Sequence, residues 1–203
     1  MTINIPSGIK IRTSRFGLLS NTRTFISPFN GVTQRLELAG ARWMASYSLA
    51  PMNRTQFAEI QAFLLELRGR ANTFYGYDPD AKTARGSAGS TPGTPLVNGG
   101  SQTGTSLIID GAPGGAASYL LAGDYFSVND ELKMITQTIP TDTSGDATLI
   151  FEPPLRESPA DNAPITLSTA SAIMHLTADD MAVWDANENS IYNISFSGAE
   201  AID

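Results

Sequence analysis

The chain has 203 residues, 41% of them hydrophobic and 16% charged, which is enough for one ordinary core or two small ones. With no Cys and a single His, disulfides, thiolate catalysis, zinc-thiolate centres and multi-His metal sites are excluded. No apolar run nears the ~20 residues that cross a bilayer, and Met1 to Lys10 lacks a secretory hydrophobic region, so the sequence predicts a soluble chain without a leader.

The formal charge of -7 is unevenly spread: up to Tyr77 nine cations face three anions, and beyond it four cations face 17 anions, giving +6 and -13. The early Arg residues are spaced singly, without a basic run, and the acidic remainder repels phosphate, which disfavours nucleic-acid binding. Complementary packing between copies of the chain uses the same asymmetry without that conflict. Arg35, Arg42, Arg54, Arg68 and Arg70 are the candidate cations for such an interface.

In chain order, Ile3 and Ile5, then Ile9 and Ile11 beyond the turn Pro6-Ser7-Gly8, alternate with polar residues as half-buried strands do. Arg42 to Leu49 repeats the pattern, with Trp43, Tyr47 and Leu49 on one face. Pro51 ends that ladder, and Asn53 with Gln56 forms a predicted capping box. A helix is predicted over Arg54 to Arg68, its apolar stripe being Phe57, Ile60, Phe63, Leu64 and Leu67, with Gly69 in the left-handed position after the last turn. Asn72 to Tyr77 reads as another strand.

Gly86 to Gly123 holds ten of the 18 Gly residues, so the backbone there turns repeatedly, and a domain border is predicted near Asp78 to Arg85. Short strands are predicted at Ser106 to Asp110, Tyr119 to Val128, Leu132 to Thr138 and Ala147 to Glu152, with turns at Asn129-Asp130 and Asp142 to Gly145. Pro153-Pro154 is expected to end the last of them, and Pro159 to Pro164 to be a return linker. After an irregular piece around Asp179 to Met181, Tyr192, Ile194 and Phe196 share one face of a final strand whose natural partners are the N-terminal strands and helix. The expected fold is therefore mainly β, a core of strands from both ends of the chain with one amphipathic helix, and an inserted small β-barrel or sandwich. The core is assigned to residues 1-80 plus 165-203, and the insert to residues 81-164.

No phosphate-binding loop, dinucleotide fingerprint or Gly-x-Ser-x-Gly elbow occurs. His175 between Met174 and Leu176 reads as a satisfied strand residue, and Asp130-Glu131, Asp142 with Asp146, and Asp179-Asp180 as turn or helix-start carboxylates. The chain is expected to be no enzyme and to carry no cofactor or metal. Tyr119, Tyr125 and Phe126 are candidate contacts for a glycan or protein partner if they lie on an exposed barrel face; a face of that kind would also serve an OB-type single-strand binder.

The run Trp43-Met44-Ala45-Ser46-Tyr47-Ser48-Leu49-Ala50-Pro51-Met52, followed by Thr55 to Arg68 and Asn72-Thr73-Phe74-Tyr75, resembles the N-terminal part of siphophage tail-tip proteins. Leu121 to Phe126 and Ile150 to Arg156 also resemble segments of phage tail proteins. Within that group the size and the inserted β-domain are similar to the distal tail protein. The resemblance implies a homo-oligomeric ring, usually hexameric, between the tail tube and the hub and fibre or receptor-binding proteins of a baseplate. It further implies a split-barrel or β-sandwich core with a helix, an OB-like or galectin-like insert, a channel that DNA crosses without specific binding, and a place in the virion after synthesis in host cytoplasm. No membrane is involved and no catalytic residues are carried over. The alternative expectation is a carbohydrate-binding module acting on a cell-surface glycan through the inserted β-domain.

Overall fold

The computed structural model describes residues 1-186, 188 and 191-202; Asp203, where the first domain is expected to end, lies outside them. The fold is mainly β with one α-helix, and its larger sheet curls as a half-barrel. The first stretch contains β1 (Thr2–Asn4), β2 (Ile11–Leu19), β3 (Thr22–Ile26), β4 (Thr33–Glu37), β5 (Arg42–Leu49), α1 (Arg54–Leu67) and β6 (Thr73–Gly76). The middle contains β7 (Leu96–Val97), β8 (Gly104–Asp110), β9 (Tyr125–Val128), β10 (Glu131–Ile135) and β11 (Ala147–Leu155). The end contains β12 (Ala172–Leu176), β13 (Asp185–Ala186), β14 (Tyr192–Asn193) and β15 (Ser195–Glu200).

The larger sheet has the order β1-β6-β12-β15-β5-β2, so strands from both ends of the chain share it. Period-two alternation puts Trp43, Ala45, Tyr47 and Leu49 of β5 on the buried face, where Phe74, Met174 and Phe196 join them. Helix α1 covers that face with Phe57, Ile60, Phe63, Leu64 and Leu67. Its start is the expected capping box: the Gln56 amide donates to Asn53 Oδ1 at 3.0 Å, and the Asn53 amide to Gln56 Oε1 at 3.4 Å. At the other end the helix stops at Leu67, one residue early, because Arg68 itself takes the left-handed conformation at φ 51° before Gly69 at φ 63°. Gly198 lies where a Cβ would stand 2.5 Å from Phe74 Cζ, so the missing side chain lets that ring lie against β15.

The middle strands form an antiparallel sheet in the order β7-β8-β11-β10-β9. Asn129 and Asp130, at φ 49° and 61°, make the two-residue turn between β9 and β10. Pro164, where the return linker is expected to end, bridges Leu96 of β7, and Thr166, assigned to the core from the sequence, bridges Ser127 of β9, which joins the two sheet edges into a small closed barrel. Ile165 and Leu167 consequently pack inside this barrel, and the chain crosses back only before Ala170, which belongs to the first core. Nor does Pro153-Pro154 end β11; pairing resumes at Leu155 with Gly104, past a register shift at the prolines, which have no ladder N–H to give. The expected strand from Tyr119 shrinks to Tyr125–Val128, since Gly123, left-handed at φ 91°, turns the chain just before it.

Because side chains alternate across a strand, β9 and β10 serve two cores. Phe126, Val128 and Ile135 point into the barrel, while Tyr125, Leu132 and Met134 pack on the first core. Trp43 fastens this seam, its indole N–H donating to the Leu132 carbonyl at 2.8 Å.

Candidate interaction surface

Between β2 and β5 the chain leaves the body of the molecule. β3 and β4 pair in register from Thr22 with Glu37 to Ile26 with Thr33, and every residue of both strands is exposed. They prolong the β2–β5 pair, in which Leu19 stands opposite Arg42, into one long ribbon. Asn21 splices the two parts, its side chain donating to the Ala39 carbonyl at 2.8 Å and its own carbonyl accepting from the Leu38 amide at 2.8 Å. At the tip Asn30 accepts from the Val32 amide and Gly31 sits at φ 68°, chemistry that permits a tight reversal.

This hairpin carries an unusual load for bare strands. Phe25, Ile26, Val32 and Leu36 are all more than half exposed, as is Leu19 at the splice, and Phe29 at the tip is 96% exposed. A lone two-stranded hairpin is marginal in water, and clustered exposed apolar groups mark contact surfaces. From Thr22 to Glu37 it contains Arg23 and Arg35 against one carboxylate, Glu37 at its root. The outer edge of β2, nine residues long, is likewise an end of its sheet with no neighbouring strand among the described residues. Sequence reading passed over this element; its signal is Asn30-Gly31 between two short β-rich runs.

The five candidate cations do not form one patch. Arg35 is on β4 and Arg42 at the root of the ribbon, both exposed. Arg54 opens α1, with its guanidinium 3.2 Å from Gln61 Oε1, and Arg68 closes it; fourteen residues of helix, about 21 Å, separate the two ends. Arg70 is engaged, at 3.2 Å, with Asp179, whose carboxyl that guanidinium holds below its ordinary value.

The aromatic candidates are corrected by burial. Tyr119 and Phe126 have no exposed surface. Phe126 meets Phe151 edge-on at 5.2 Å inside the barrel, and the Tyr119 hydroxyl donates to the Pro92 carbonyl at 2.6 Å, with burial pushing its pKa up to about 12. Tyr125 is half-buried at the seam, edge-on to Trp43 at 5.6 Å and to Phe16 at 6.0 Å, and its pKa is raised by burial and then by Asp78. None of the three offers the open ring face on which a sugar or base stacks.

At the root of the ribbon a chain of ion pairs ties the two cores together. Arg156, from the end of the barrel, lies 2.7 Å from Glu200 of β15, whose other contact is the Trp43 amide at 2.9 Å, and it also donates to the Ala41 carbonyl. Glu131 accepts from the Arg156 and Glu157 amides and from Lys133 Nζ at 2.6 Å. Lys133 is fully buried, and burial lowers its pKa against the opposing pull of Glu131. Every member has a structural partner, so this cluster holds geometry and presents no reactive group. Beside it, a groove of about 650 Å³ runs between the ribbon root and the barrel end. No cluster of three or more metal-ligating side chains occurs among the described residues. No helix among them is long and apolar enough to cross a membrane. No protein-family model matches this chain, and no curated protein matches it either.

Proposed function

We propose that this chain is a non-enzymatic structural subunit of a phage tail tip, whose work is to join identical copies into a closed ring and dock the tail tube on one side and hub or fibre proteins on the other. The observation that carries the reading is the bare ribbon: an apolar, cationic hairpin and an open β2 edge that the described residues leave without a partner. A contact between such a protruding patch and a different patch on the next copy is heterologous, and a heterologous contact closes into a ring when its rotation divides a full turn. The sequence resemblance to siphophage tail-tip proteins supplies the biological setting.

The test is to measure the mass of the purified protein by sedimentation and to image it by negative-stain electron microscopy. The reading expects closed rings of one subunit number, together with the protein's presence in purified virions. A strictly monomeric protein that never enters virions overturns it.

A further inference from the structure

We infer that the hairpin tip of one copy docks into the groove at the ribbon root of the next copy; this rests on the ring reading and specifies its contact. The groove is lined by Leu38, Ala39 and Ala41 of the root, Pro154 and Leu155 of the barrel, and Ile202 near the C-terminus. At about 650 Å³ it is in the size range of pockets that bury a cluster of apolar groups. Its floor is therefore suited to large side chains, and the tip supplies Phe29, Ile26 and Val32, each more than half exposed.

Charge matches as well. The two rim carboxylates, Glu37 and Glu157, take part in no salt bridge among the described residues, because Arg156 in the same groove is already held by Glu200. Arg23 and Arg35 make the incoming hairpin basic, so approach is attractive and two hairpins repel each other.

A chain cannot fill its own groove. The root is part of the groove, and the five residues of β4, at about 3.4 Å each, hold the turn ~17 Å beyond it in a paired, extended ribbon. The occupant is a second copy, and tip-to-root contact is head-to-tail by construction.

The experiment places a photo-crosslinking benzophenone amino acid at Phe29 in the full-length chain, mixes it with heavy-isotope-labelled chain, and maps crosslinked peptides by mass spectrometry. The expected result is labelled-to-unlabelled crosslinks to residues 37-41, 153-157 or 202. Phe29→Asp and Ala39→Arg, both at exposed positions, are expected to weaken self-association about tenfold or more with unchanged melting temperature. Rings whose crosslinks fall elsewhere, or that form normally in both variants, overturn the docking and leave the ring reading standing. A protein that stays monomeric overturns both.

Discussion

The rings of Phe57 and Tyr192 stack at 4.4 Å with an interplanar angle of 6°. One belongs to the first turn of α1 and the other to β14, so this contact unites segments from the two ends of the chain. Phe63 meets Phe196 at 5.9 Å one layer further in, and Trp184 closes on Phe57 at 5.4 Å. The scaffold that carries the ribbon exists only when both termini are in place.

Phe57→Ala should therefore cost about 3–5 kcal/mol, the range for truncating a fully buried Phe. Tyr192→Ala should cost less, since that ring is half-buried. A double-mutant cycle in urea should return about 1 kcal/mol of coupling for the stacked pair. Additive losses would show that the two rings do not support each other.

Arg156→Met should expose the junction between the cores. It strands the Glu200 carboxylate, 2% exposed, with the Trp43 amide as its remaining polar contact. Breaking a buried pair costs about 3–5 kcal/mol, and the partial exposure of the guanidinium brings the expected loss to about 2–3 kcal/mol. Arg156→Met with Glu200→Gln should recover part of it, as read by thermal unfolding and by protease cleavage near residues 156-171. A double variant no better than the single would remove the ion pair from the account.

Alkaline pH should unfold the protein through its buried phenols. Burial raises the folded-state pKa of Tyr47, Tyr119 and Tyr125, so each favours the protonated form when folded. That stability is complete below the ordinary value of 10.0 and is lost as pH rises through the folded-state value, about 12 for Tyr119. Lys133 has the opposite sign: its lowered pKa means that deprotonation relieves a penalty, so it adds no loss in this range. Tyrosinate absorbance from these three rings should rise together with the collapse of far-ultraviolet circular dichroism. Their complete ionisation in a chain that keeps its sheet signal would contradict the burial argument.

Gly198→Ala should cost about 1–3 kcal/mol, because the new Cβ meets the buried Phe74 ring at 2.5 Å and neither can move freely. Denaturant midpoints would check it; an unchanged midpoint would mean the core has slack at that point.

The hairpin should behave as a separate layer of stability. Phe25→Ser and Leu36→Ser remove side chains that touch little, so the melting temperature should stay within the effect of about 0.5 kcal/mol usual for surface changes. Amide exchange in β3 and β4 should be fast in dilute protein and slow down on self-association. Protection already complete in the monomer would mean that the ribbon needs no partner.

Much of the first core is legible in the residues themselves. Trp43 to Leu49, the stripe from Phe57 to Leu67, the Asn53–Gln56 box and the alternation from Tyr192 to Phe196 each have a period that names a buried face before any partner is known. Mispairing of such faces is costly, so their meeting follows. Tyr119 and Phe126 went astray because period and composition say that a ring is on a face, not which side of a barrel that face becomes. Pro153-Pro154 misled for a related reason: proline forbids a ladder bond, and only the register shows whether one is required there.

The ribbon divides the two kinds of knowledge most sharply. Local chemistry along the chain specified the helix, its caps, the strand alternation and the turn at Asn129-Asp130, because those depend on a few neighbouring dihedrals and side chains. Tertiary structure alone decided that residues 164-166 close a barrel, that Glu200 and Arg156 meet across 44 positions, and that Phe25 and Phe29 stand in solvent. Burial and pairing across long separations are properties of the whole packed chain, and no short window of sequence contains them.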